Sequence, residues 1–136
     1  MKYLSCKKII FVFFLILFFY CSKSKEINIH QLSGYWKIDY IIQKNEKFIP
    51  KGDAALFDHY QLNFPKGVLN KVAYNIKNEF FTSNDAIHFK IEKLNKNYYI
   101  NFKSKWDIWS TKVVLLDSQN LVLESGNREY YYKRPF

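Results

Sequence analysis

At 136 residues and a formal net charge of +9, the chain holds enough sequence for one domain with one core and too little for two. Its two cysteines exclude an internal disulfide framework, because Cys6 lies in an N-terminal leader and Cys21 is then alone. The basic balance does not mark a nucleic-acid partner: the lysines are spread along the chain, and only Arg128 and Arg134 add guanidinium groups.

Lys2, Lys7 and Lys8 precede an unbroken apolar run from Ile9 to Tyr20. A bilayer-spanning helix needs about 20 apolar residues, so this shorter run suits the core of a signal peptide. Cys21 follows at once, then the polar stretch Ser22 to Glu26. A thiol in that place is similar to the lipid-attachment cysteine of bacterial lipoproteins, whose acylation would anchor the protein to a membrane. The bulky Tyr20 stands where such signals carry a small residue. An ordinary secretory signal or an uncleaved anchor is the other reading. The expected division is a signal peptide over 1–20, a tether over 21–31 and a folded domain over 32–136.

Beyond the tether the dominant pattern is alternation, which places successive side chains on opposite faces of a strand. Trp36, Ile38, Tyr40 and Ile42 alternate with Lys37 and Asp39. A helical turn is expected at Asp53 to His59, with Asp53 as its N-cap. Tyr60, Leu62 and Phe64 alternate with polar neighbours before a Pro65-Lys66-Gly67 turn, and Val68, Val72, Tyr74 and Ile76 share a face of the next strand. After a short piece at Glu79 to Ser83 come Ile87, Phe89 and Ile91, then an Asn95-Lys96-Asn97 turn into Tyr98, Ile100 and Phe102. The same parity is expected to run through Trp106 and Ile108. Val113 to Leu116 is apolar on both faces and reads as buried throughout. Turns at Asp117 to Asn120 and at Ser125 to Asn127 introduce the last two strands, which end at Arg134. This spacing predicts an all-β antiparallel meander. Rolling it into an up-and-down barrel of about eight strands covers its apolar face and removes its edges.

Leu32 to Ile38 carries a Gly34-x-Trp36 opening, and the chain closes with Leu115 to Leu123 and then Tyr130-Tyr131-Tyr132-Lys133-Arg134. Together these ends resemble the lipocalin-like lipoproteins of Bacteroidetes-type bacteria, and the likeness spans Leu32 to Arg134. The Thr-Asp motif of true lipocalins has no clear counterpart. The resemblance implies a lipocalin-like β-barrel in the bacterial cell envelope, as an outer-membrane lipoprotein facing the periplasm or the cell surface. It also implies structural roles for Trp36, plugging one barrel end, and for Arg134, lying across its ring.

A barrel of eight strands is just wide enough to fill with its own side chains or to hold one small ligand, and both readings stay open. The candidate lining is Tyr40, Leu62, Tyr74, Phe89, Ile100, Phe102 and Trp106, joined by Tyr130 and Tyr132 from the last strand. With Arg128 on their face, the two tyrosines would meet an anionic amphiphile such as a fatty acid; alternatively they are satisfied core side chains. A protein partner is the rival expectation, through an outer aromatic patch such as Tyr35, Trp109 and Tyr131.

His30, His59 and His88 show no ligand spacing on a shared face, so no metal and no other cofactor is expected. Asp53, Asp58 and His59 read as solvated turn residues. Asp107, Ser110 and Thr111 lack a histidine base, and no nucleophile elbow or phosphate loop is present, so no enzyme activity is expected.

Overall fold

The structure is a computed structural model that describes residues 25–51, 56–74, 77 and 79–136. Cys21, Asp53 and Ile76 lie outside the described residues. A short 3-10 helix at Ile29–Leu32 precedes ten strands: β1 (Gly34–Gln43), β2 (Glu46–Phe48), β3 (Leu56–Asn63), β4 (Lys66–Tyr74), β5 (Phe80–Thr82), β6 (Ile87–Leu94), β7 (Asn97–Lys103), β8 (Ile108–Leu116), β9 (Asn120–Ser125) and β10 (Arg128–Lys133).

Eight of these close into an antiparallel barrel in the order β1, β3, β4, β6, β7, β8, β9, β10, with β10 pairing back onto β1. The short strands β2 and β5 extend the sheet beside β1 and β4. Hairpin chemistry explains the tight connections. Lys44 and Asn45, and again Asn95 and Lys96, both have positive φ, the backbone that two-residue turns matching the strand twist require.

The core is continuous through the barrel, from Leu32 and Trp36 past Ile91, Ile100 and Val113 to Tyr60, Phe89 and Phe102. Part of the expected tether belongs to it: Ile29 is buried, and Ile27 packs against the same cluster. Gly67 allows one close approach, since a Cβ there would overlap the Phe89 ring that crosses β4.

Three local expectations are corrected. Leu56 to His59 is strand, not helix, because Phe57 and Asp58 pair with Val72 and Lys71 across to β4. Val113 to Leu116 is not buried throughout. A bulge between Val113 and Leu115 keeps Val113 and Leu116 inside and leaves Val114 and Leu115 exposed. The parity of β7 does not pass through Trp106 and Ile108. Ser104 Oγ accepts from the amides of Trp106 and Asp107, forming a turn that interrupts it.

Candidate ligand-binding site in the barrel

One end of the barrel is sealed from the sequence outward. Trp36 is fully buried, and its indole Nε1 donates to the Leu32 carbonyl at 2.8 Å. The guanidinium carbon of Arg134 lies 3.7 Å from the Trp36 ring centroid. Its Nη2 donates to Gln31 O at 2.5 Å and its Nη1 to Tyr35 O at 3.3 Å. Gly34, at φ +116, makes room: a Cβ there would sit 2.5 Å from Arg134 Nη1. Trp36 and Arg134 are therefore neighbours in the arrangement expected of them, and neither faces open space inside the barrel.

Loops at 44–45, 104–107 and 126–127 surround the other end. Below them the interior is not filled. A cavity of about 220 Å³ is lined on its apolar side by Leu69, Ile87, Phe102, Trp109 and Leu123, and on its polar side by Asp58, Lys71, Thr111, Ser125 and the rings of Tyr60, Tyr130 and Tyr132. Phe102 and Trp109 stack with centroids 5.0 Å apart and planes 16° from parallel, giving the cavity a flat aromatic wall.

The polar wall has a definite electrostatic order. Asp58 is only 6% exposed, and Lys71 reaches across from β4 to pair with its Oδ1. The Lys71 side chain is half exposed, so the pair bridges interior and mouth. Burial pushes the Tyr132 hydroxyl far above the ordinary phenol range, helped by the Asp58 charge, by Tyr130 and by a hydrogen bond to Asp58. Burial does the same to Tyr60, with Tyr132 and Asp58 adding to it. Both phenols stay protonated at neutral pH, because burial beside the Asp58 carboxylate disfavours a second negative charge.

Thr111 is the exception. Thr111 lines the cavity and is 7% exposed, but its Oγ1 is enclosed by the protein and has no hydrogen-bond partner. A buried hydroxyl left in that state costs about 1–3 kcal/mol. Native proteins rarely tolerate it without a reason.

The nine candidate lining residues divide three ways. Phe102, Tyr130 and Tyr132 do line the cavity. Phe89 and Ile100 are solid core, and Leu62 packs against that core while its amide donates to Ser33 Oγ near the plug. Tyr40, Tyr74 and Trp106 lie elsewhere, each for a physical reason. A bulge between Ile38 and Tyr40 flips the parity of β1, so Tyr40 stacks on Tyr131 and carries Lys47 over its ring. Tyr74 belongs to the outer face of β4, against Phe57 and Phe80. Trp106 sits in its turn at 85% exposure. Arg128 does not face a ligand site; its Nε donates to Gln43 Oε1 at the rim.

Trp109, expected outside, is inside because the 104–107 turn resets the alternation. Asp58, expected in a solvated turn, is the buried carboxylate. Asp58, Lys71 and Thr111 were each readable at a period of two from Tyr60, Leu69 and Val113, but their polarity argued against an inward position. His30 is exposed beside Phe64, His88 is exposed on β6, and His59 stacks on Tyr35 at 4.2 Å, with burial lowering its pKa.

No protein-family model matches the chain, and no curated protein matches it. Among solved structures, it is similar to a lipocalin-like protein from Bacteroides uniformis ATCC 8492, at 13% identity and a TM-score of 0.48, over 76% of this chain and 98% of that one. It is also similar to an uncharacterized protein from Bacteroides eggerthii DSM 20697, at 10% identity and a TM-score of 0.48, over 75% and 98%. The closed barrel stands on the strand pairing of this chain.

Proposed function

We propose that this protein is a membrane-tethered binding barrel that holds one compact amphipathic molecule in the cavity opposite the Trp36 plug, without transforming it. The carrying observation is the cavity itself, sealed at one end by Trp36 and Arg134 and lined at the other by aromatic faces and a buried polar group. Its size sets the cargo. About 220 Å³ exceeds the ~150 Å³ that holds one benzene and falls below the ~300 Å³ at which drug-sized pockets begin. A long-chain fatty acid is too large for it.

The test is to purify the full chain from envelope membranes, extract it with organic solvent and analyse the extract by mass spectrometry. A stoichiometric compact molecule, displaced when bulk fills the cavity in Leu123→Trp, is the expected result. A barrel that yields only bilayer lipid in both forms overturns the reading.

The membrane half rests on Lys2, Lys7 and Lys8, the apolar run to Tyr20, and Cys21 as the acylated residue of an envelope lipoprotein. Cys21→Ser should release an unacylated product into the soluble fraction. Quantitative retention on membranes by that variant would rule out this anchor.

A second reading has its own support. Outside the barrel wall, Phe80 contacts Tyr35, Phe57, Tyr74 and Phe136 in one aromatic cluster, and Phe81 beside it and Phe136 stay largely exposed. Such a patch suits a protein partner. Crosslinking in intact envelopes that is lost in Phe136→Ala would support this version, and identical crosslinks in both forms would remove it.

A further inference from the structure

The charge pair at the cavity is made of unequal partners. We propose that the cavity takes a compact aromatic primary amine, whose ammonium displaces that of Lys71 from Asp58 and whose ring lies on the Phe102 and Trp109 wall. Lys71 is then a built-in stand-in for the charged end of the ligand. This rests on the cavity being a ligand site, as proposed above.

The fixed charge is the carboxylate. Both residues line the cavity, but the Asp58 side chain is 7% exposed and that of Lys71 is 51% exposed. A half-exposed lysine on its flexible stem can turn its ammonium out to water, where it recovers its hydration. Asp58 has no such exit. Without a counter-ion it would be a buried, uncompensated charge, which folded proteins avoid. A second ammonium in the same place satisfies it equally well, so the exchange leaves the carboxylate paired. Lys71 itself shows that the carboxylate can be reached. Its Nζ donates to Asp58 Oδ1 from a half-exposed side chain, so a primary ammonium already occupies the position that the ligand's would take.

The rest of the cavity favours a cation with a ring attached. Tyr60, Phe102, Trp109, Tyr130 and Tyr132 all line it, and aromatic rings attract a desolvated cation. Phe102 and Trp109, stacked 5.0 Å apart, offer a flat wall to a ligand ring. Burial keeps the phenols of Tyr60 and Tyr132 neutral. Among the described lining residues, Asp58 is therefore the single negative charge and Lys71 the single positive one. An anionic ligand drawn to Lys71 would lie beside the Asp58 carboxylate, which repels it. A neutral ligand of the same shape fills the space and gains nothing from the charge. The volume of about 220 Å³ exceeds the ~150 Å³ that holds one benzene, leaving room for a ring and a short ammonium arm.

Phenethylamine, 2-phenylethanol and phenylacetate test the idea, since they share a ring and a short arm and differ in charge. Each is titrated by calorimetry into the full chain in nanodiscs of zwitterionic phosphatidylcholine, with empty nanodiscs subtracted. Phenethylamine is expected to bind about three- to tenfold more tightly than 2-phenylethanol, the margin of a charge-assisted over a neutral hydrogen bond. Phenylacetate should bind more weakly than either. Asp58→Asn should erase the preference for the amine. Lys71→Met keeps the stem and removes the competing ammonium. It should tighten phenethylamine by about tenfold or more and leave 2-phenylethanol within about twofold, a gain that a merely structural ion pair does not give. Equal affinity of the wild-type protein for amine and alcohol, or tighter binding of phenylacetate than of the alcohol, overturns the inference while leaving the cavity as a ligand site. Persistence of the preference in Asp58→Asn overturns it too. So does an unchanged phenethylamine affinity in Lys71→Met, which decides alone if the asparagine variant does not fold. Binding of none of the three probes overturns both the inference and the reading of the cavity on which it rests.

Discussion

Arg134 lies over the indole of Trp36 at 3.7 Å from the ring centroid, joining the residues after the last strand to the first strand at the sealed end of the barrel. The same guanidinium ties down the carbonyls of Gln31 and Tyr35. One side chain thereby fixes the 3-10 turn, β1 and the chain terminus together.

Replacing Arg134 should therefore cost more than a surface charge does. Arg134→Ala loses a cation–π contact of about 0.5–2 kcal/mol and two charge-assisted hydrogen bonds, so a destabilisation of about 2–4 kcal/mol is expected. Arg134→Lys should recover less than half of this, because an ammonium can stand over the ring but cannot fork to both carbonyls. Urea unfolding followed by tryptophan fluorescence measures both. A loss below about 0.5 kcal/mol for the alanine variant would show that the sealed end does not depend on Arg134.

Gly34→Ala should be destabilising on two counts. The φ of +116 lies in a region that costs an L-residue about 1–3 kcal/mol, and the added methyl displaces Arg134. Gly126, also at positive φ, has nothing within 4 Å of an added Cβ. Gly126→Ala should then show only the smaller backbone penalty, and the two midpoints compared by thermal unfolding separate crowding from strain.

Thr111→Val should raise the stability of the ligand-free protein, by about 1 kcal/mol, because it removes a buried hydroxyl that has no partner. Chemical denaturation of exhaustively extracted protein measures the change. An equal or larger loss of stability would show that Thr111 Oγ1 is satisfied within the folded chain.

Alkaline pH should unfold the barrel through its interior phenols. Tyr60 and Tyr132 have folded-state pKa values raised above 10.0, so above about pH 10 the unfolded chain releases protons that the folded chain retains. Stability is then fully present below pH 10 and falls as pH rises, by about 1.4 kcal/mol per unit for each tyrosine. Tyr132→Phe should remove close to one proton from that slope. An unchanged slope would mean that Tyr132 is not held neutral.

The extent of the barrel was legible because it depends on local alternation and turn chemistry. Asn95 and Lys96 fold as the sequence suggests, since a two-residue hairpin needs only backbone conformations that its own residues tolerate. The Trp36 and Arg134 pairing was legible only through family likeness, as their 98-residue separation leaves no local trace. Trp109 and Tyr40 show where the reading lost its phase. One irregular residue in β1, or a turn of a different length after β7, transfers every following side chain to the opposite wall.

The choice of face in β4 had a different origin. Val72 and Tyr74 look like core residues by hydrophobicity, yet they lie outside under Phe57 and Phe80. The interior instead receives Gly67, Leu69 and Lys71, because Asp58 across the pair supplies a buried counter-charge. Composition and period by themselves determined an all-β chain with an aromatic interior. The unfilled space, the charge pair beside it and the stranded hydroxyl were decided by tertiary closure, because each depends on which strands meet across the barrel rather than on neighbours along the chain.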